Sequence, residues 1–176
     1  QHAEALNTNG SSKDIDRLLT QEGLEKAYSV SKRVSQYIKE CSAESVKLHS
    51  SPAMRALLEA QILASMLGKN NNDISITNLL YQDNAKLIKG ALNYVVNSKE
   101  DVTTIVSHIP TVPILIYALT RHNTDEILNE DLDTYYSSNP FDINGYMQSG
   151  EVDFVKGNAY ILKFSNNKAH FDGVIR

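Results

Sequence analysis

Cysteine is almost absent from this chain. Among 176 residues only Cys41 is available, so no internal disulfide can close. No Cys/His cluster has metal-ligand spacing, which excludes a zinc-finger-like site. Long apolar runs are missing too. Nothing approaches the roughly 20 residues that span a bilayer, and no signal-peptide pattern opens the sequence. Nor is there a strong charge of either sign. With a formal net charge of −4, no global field draws the chain to nucleic acid or to an anionic membrane, and any anion site must be local. These absences predict a protein of a reducing, cytoplasmic setting. What is present is ordinary: 41% hydrophobic and 22% charged residues, the make-up of a soluble globular protein. The length suits one domain, residues 1–176, with a sizeable core. No internal repeat or linker divides it.

The patterning alternates. Residues 1–16 are polar and rich in Gly, Ser and Asn, which predicts a loop. Thr20 is a plausible N-cap, with Glu22 in the first turn. Leu24, Ala27, Val30, Val34, Tyr37 and Ile38 then follow at helical spacing as far as about Glu40. Val46–His49 predicts a short strand leading into Ser50-Ser51-Pro52, where Ser51 can cap and Pro52 can take the first helical position. The next helix carries Met54, Leu57, Leu58, Ile62, Leu63 and Leu67, with Met54 and Leu57 expected in the core, and stops near Gly68. Strand 74–76, helix 84–96, strand 102–106 and helix 111–119 repeat the rhythm. Residues 121–150, acidic and partly aromatic, are expected to run over the surface. Segments 159–164 and 170–175 predict a closing hairpin. Strands alternating with helices predict an α/β three-layer sandwich, with a mostly parallel central sheet and helices on both faces.

Ligands of such sheets sit beyond the carboxyl ends of the strands. Three segments have that position: Gln1-His2-Ala3-Glu4-Ala5, Ser50-Ser51-Pro52-Ala53-Met54-Arg55-Ala56 and Ser107-His108-Ile109-Pro110. His2, Arg55 and His108 are therefore expected to converge. An imidazole is available as a nucleophile near neutrality, its usual pKa being about 6.5. An arginine in the first turn of a helix offers planar donors to phosphate. Each histidine could instead be a structural residue at a strand end, and spacing alone does not decide between the two.

The order His2-Ala3-Glu4-Ala5, Asp16-Arg17-Leu18-Leu19-Thr20-x-x-Gly23, Ser51-Pro52-x-x-Arg55-Ala56 and Val106-Ser107-His108-x-Pro110 resembles the histidine phosphatase superfamily. Within it, the pattern is similar to the bacterial phosphohistidine phosphatases. Leu80–Ala85 and Phe154–Ala159 resemble later segments of that family. The resemblance implies a phosphoglycerate mutase-like fold and a phosphatase that needs no metal or other cofactor. It implies His2 as the nucleophile, Arg55 as a phosphoryl ligand, and His108 as a donor that stabilises the transferring group. Gln1, Glu4 and Arg17 are substrate-binding candidates. Arg17 is alternatively a loop anchor or a partner of Asp14 or Asp16, and Glu4 a solvated carboxylate.

The chain departs from the family at three places. Gln1 stands where an arginine usually precedes the nucleophile; its amide donates hydrogen bonds but carries no charge. Leu18-Leu19 replaces Pro-Leu. A first sheet strand, expected before residue 1, is missing from the sequence. No carboxylate stands out as the general acid that an alkoxide leaving group needs, although Glu59 and Asp83 are the ones to watch. A P–N bond needs less help, so the expected substrate is phosphohistidine on a protein rather than a small phosphorylated molecule. The alternatives are a phosphate-binding module with little turnover, suggested by Gln1, and a small-molecule phosphomonoesterase.

Overall fold

The computed structural model describes residues 3–6, 13–81, 85–129, 143–166 and 168–176. Gln1, His2, Asp83 and the Tyr135-Tyr136 pair lie outside the described residues. Thr20 caps helix α1 (Gln21–Glu40), its hydroxyl accepting from the Gly23 N–H at 2.9 Å. Strand β1 (Val46–Ser50) pairs in parallel with β2 (Ile74–Ile76) on one side and β3 (Val102–Val106) on the other. Between them run α2 (Met54–Met66) and α3 (Ala85–Val96), and β3 is followed by α4 (Thr111–Arg121). Gly68 ends α2 at φ 69°, the left-handed conformation in which glycine carries no Cβ penalty.

Alternation along the strands sends side chains to two faces. Leu48 and Val106, joined by Ile74, meet Ala56, Ala60, Leu63 and Ala64 of α2, with Val34 of α1 behind them. Ile105 points the other way, into the cluster built by Ala91 and Leu92 of α3 with Ile114, Leu115, Ala118 and Leu119 of α4. Helices thus cover both faces of the parallel sheet. Full burial of a side chain such as Leu48 contributes about 1.5–3 kcal/mol. No helix among the described residues is long and apolar enough to cross a membrane.

Several expectations need correction. Helix α2 begins at Met54, not at Pro52, because Ala53 is still extended. Its buried face is made of small residues at four-residue spacing, so Met54 is left exposed at its start and Leu57 only half-buried. Residues 121–150 are not all surface. Asn123 and Glu126 form a reciprocal cap, each backbone N–H donating to the other's side chain at 2.9 Å. They start α5 (Thr124–Asn129), which drives Ile127 into the core. Helix α6 (Ile143–Gln148) buries Tyr146, edge-on to Tyr117 at 5.0 Å between ring centres. Finally, β4 (Ala159–Ser165) and β5 (Lys168–Ile175) form their own two-stranded antiparallel sheet. The hairpin docks by side chains, Ala169 against α4 and Asp172 accepting from the Tyr37 hydroxyl of α1 at 3.4 Å.

Candidate active site

The parallel register brings two turns to one edge. Ser50 is opposite Val106 at the carboxyl ends of β1 and β3, and the Ser51 N–H donates to the Val106 carbonyl at 2.9 Å. Beyond that pair, the His108 Nε2 lies 2.6 Å from Ser51 Oγ, both side chains buried. Ser51 Oγ also accepts the Ala53 N–H at 3.2 Å. One hydroxyl therefore ties the turn before α2 to the turn before α4. The Tyr81 ring stands edge-on to His108, 5.4 Å between centres.

Arg55, in the first turn of α2, is buried beneath Asp14. Its Nη1 donates to the Asp14 carbonyl at 2.5 Å and its Nη2 to Asp14 Oδ2 at 2.8 Å. The same carboxylate accepts from the Tyr81 hydroxyl at 3.0 Å and, through Oδ1, from Arg17 Nη1 at 2.9 Å. Partial burial works against ionisation of Asp14. The donors from Arg55, Arg17 and Tyr81 outweigh it and hold the carboxyl well below the usual carboxylate range. Asp14, Arg55, Tyr81, His108, Ile109, Pro110 and Thr111 line a pocket of about 250 Å³. Three of these residues, Ile109, Pro110 and Thr111, belong to the turn that enters α4.

No protein-family model matches the sequence, and no curated protein matches it either. Solved structures do. A proposed phosphohistidine phosphatase, SixA from Agrobacterium tumefaciens, superposes with a TM-score of 0.65 at 17% identity, over 99% of this chain and 93% of that one. A protein histidine phosphatase SixA complexed with tungstate gives 0.64 at 16%, covering 99% and 92%. A mycobacterial glucosyl-3-phosphoglycerate phosphatase gives 0.52 at 13%, covering 72% and 79%. This chain has the histidine-phosphatase fold.

Within that fold the structure brings Arg55 and His108 to one pocket. Gln1 and His2 lie outside the described residues, but the segment that follows them is closely held. The buried Ala3 donates its N–H to Glu59 at 3.0 Å, and Leu6 donates to the Leu18 carbonyl at 2.8 Å. Gly23 is what lets this segment lie on α1: a Cβ there would sit 2.1 Å from the Glu4 carbonyl oxygen. Glu59 is thus a buried anchor of Ala3 rather than a pocket residue. Burial pushes its carboxyl up, against the pull of the Ala3 N–H.

Arg17 does not line the pocket. It links Asp14 to the Leu6 carbonyl at 2.6 Å and to the Ala5 carbonyl at 3.3 Å, which makes it an anchor of both loops. Glu4 is exposed and is not among the residues that line the pocket. His49 faces the α3 side of the sheet, 5.1 Å from the Tyr94 ring, and desolvation depresses its pKa, with Lys47 nearby adding to the effect. Sequence reasoning missed three residues of the pocket region: Asp14, Tyr81 and Ser51 as a ligand of His108. The only available signal for Asp14 was its place three residues before Arg17, one turn away.

Proposed function

We propose that this chain is a phosphatase acting through a phosphohistidine intermediate on His2, and that its substrate is phosphohistidine on a protein. The observation that carries the reading is the meeting of Arg55 and His108 in one pocket at the carboxyl edge of the parallel sheet. A fold shared with a histidine phosphatase complexed with tungstate supports it. In this reading an imidazole nitrogen of His2 attacks phosphorus. Its N–P bond forms as the substrate's N–P bond breaks, and the departing imidazole keeps the electron pair and takes a proton from water. Water then attacks the phosphoenzyme, releases phosphate and restores His2. Arg55 and His108 hold the phosphoryl oxygens where charge accumulates, and Gln1 adds a neutral donor.

The pocket's chemistry supports a nitrogen leaving group. Asp14 is the carboxylate among the lining residues, and it is held ionised, so it has no proton to give. Glu59 is committed to Ala3. A leaving imidazole needs no strong acid, whereas an alkoxide does. The lone, exposed Cys41 suits a reducing compartment, and we place the reaction in the cytoplasm.

The test is a single-turnover experiment with a phosphohistidine peptide. Wild type should form an acid-labile phosphoenzyme and His2→Ala should form none. Arg55→Ala should lose a factor of order 10² to 10³ in kcat. Undiminished hydrolysis by His2→Ala would place the nucleophile elsewhere. Tight phosphate binding without any phosphoenzyme would make the chain the binding module that the uncharged Gln1 allows.

A further inference from the structure

The arginine assigned to the phosphoryl group already holds an anion. Both terminal nitrogens of Arg55 are engaged by Asp14, one by its carbonyl at 2.5 Å and one by its carboxylate at 2.8 Å. The carboxylate is not a passing surface partner. Tyr81, which stands against His108, donates to the same Oδ2, and Arg17 fixes the other oxygen. Asp14 also lines the pocket itself. A phosphoryl group that reaches Arg55 must therefore take the place of this carboxylate or crowd against it, with like charges a few ångströms apart.

We propose that Asp14 sets what the pocket accepts: it is an internal anion on the phosphoryl-binding arginine, and it yields best to a phosphoryl group carried by a protonated nitrogen base. The inference rests on the phosphatase reading above and assigns its selectivity to one residue. An incoming dianion with no donor of its own leaves the displaced carboxylate short of partners. Arg17 and Tyr81 still hold it, but the charge-assisted bond from buried Arg55 is lost. An incoming P–N group brings positive charge and an N–H close to phosphorus, on the bonded nitrogen itself in phosphoramidate and on the second ring nitrogen in phosphohistidine. The carboxylate can accept that proton's hydrogen bond while the phosphoryl oxygens turn to Arg55 and His108. The same negative charge that penalises an ordinary phosphate ester is then a favourable partner. Tyr81 serves the exchange by holding Asp14 at the lip of the pocket.

Two small probes separate these cases: inorganic phosphate, and phosphoramidate, whose nitrogen is protonated at neutral pH. Calorimetric titration with phosphate should show Asp14→Asn binding about tenfold more tightly than wild type. The ratio of kcat/KM for phosphoramidate to that for p-nitrophenyl phosphate should fall about tenfold in the same variant. Where wild type binds phosphate but turns over neither compound, the same ratio is read from titration with phosphoramidate and phosphate. Equal or weaker phosphate binding by Asp14→Asn overturns the proposal, because Asp14 then builds the site instead of competing for it. Tighter phosphate with an unchanged ratio also overturns it, by removing the selectivity. Failure of phosphate to bind either protein sinks the phosphoryl pocket itself, an outcome distinct from the first two. Asp14→Ala, with circular dichroism to verify its fold, repeats the test without the amide's hydrogen bonds.

Discussion

At the scale of single residues, Ser51 shows how one hydroxyl can join two turns. Its oxygen is completely buried and shared between His108 and the Ala53 N–H. Removing it leaves a buried imidazole nitrogen without that partner, a loss of about 1–3 kcal/mol in such settings. Ser51→Ala should therefore lower kcat about ten- to a hundredfold, with KM changing less, since 1.4 kcal/mol is a factor of ten. Because the hydroxyl acts through His108, the substitution should also displace the limb of the pH–rate profile that His108 governs. A stability loss alone would leave the profile of the surviving folded protein where it was, and that result would make Ser51 a structural residue only. The meeting of Arg55 and His108 in one pocket was legible because a strand-to-helix turn can be located from local pattern. Asp14 and Tyr81 were not. Their contacts join positions 41 and 67 apart in the sequence, and no periodicity reports on such a meeting.

At the scale of elements, helical spacing was enough to place α1, including its Thr20 cap, but it misjudged α2. Large apolar side chains drew attention to Met54 and Leu57, whereas the tight seat on the sheet belongs to Ala56, Ala60 and Ala64. Those small residues bring the helix axis close, and so bring Arg55 and Glu59 inward. The glycine in the first turn of α1 acts by a similar closeness. A methyl at Gly23 would collide with the Glu4 carbonyl, whereas Gly68 has open space and only its φ of 69° to lose. Gly68→Ala should cost about 1–2 kcal/mol, the price of the left-handed conformation, and leave activity per folded molecule intact. Gly23→Ala should cost a similar or larger amount, about 1–3 kcal/mol for overpacking. It should also lose activity, because the Ala3–Leu6 segment adjoining His2 must lift. Denaturant unfolding beside turnover measures both, and full activity in Gly23→Ala would show that the segment relaxes without moving His2.

For the molecule as a whole, alternating strand and helix patterns sufficed to predict a parallel sheet covered on both faces. The order β2-β1-β3 and the separation of the predicted hairpin from the parallel sheet were beyond that reading, since pairing partners are chosen by tertiary packing and not by any one strand's pattern. Asp14 belongs to this scale as well as to the site. Through Arg17 it holds the Ala5–Leu6 segment, through Arg55 the start of α2, and through Tyr81 the chain after β2. A carboxylate whose pKa is depressed by folding adds stability at pH values above its unfolded pKa of about 3.9, and loses it as pH falls through the lower folded value. The Asp14 side chain is 52% exposed, so solvent screens much of the effect. Its network should then contribute about 1 kcal/mol, the upper range for exposed pairs. Wild type should exceed Asp14→Asn by that amount in urea unfolding between pH 5 and 7. The gap should stay level over that window and close progressively below about pH 4 as the carboxylate takes up its proton. A gap that persisted undiminished to pH 2 would mean that the amide disturbs packing, and that the charge of Asp14 does not hold these three segments together.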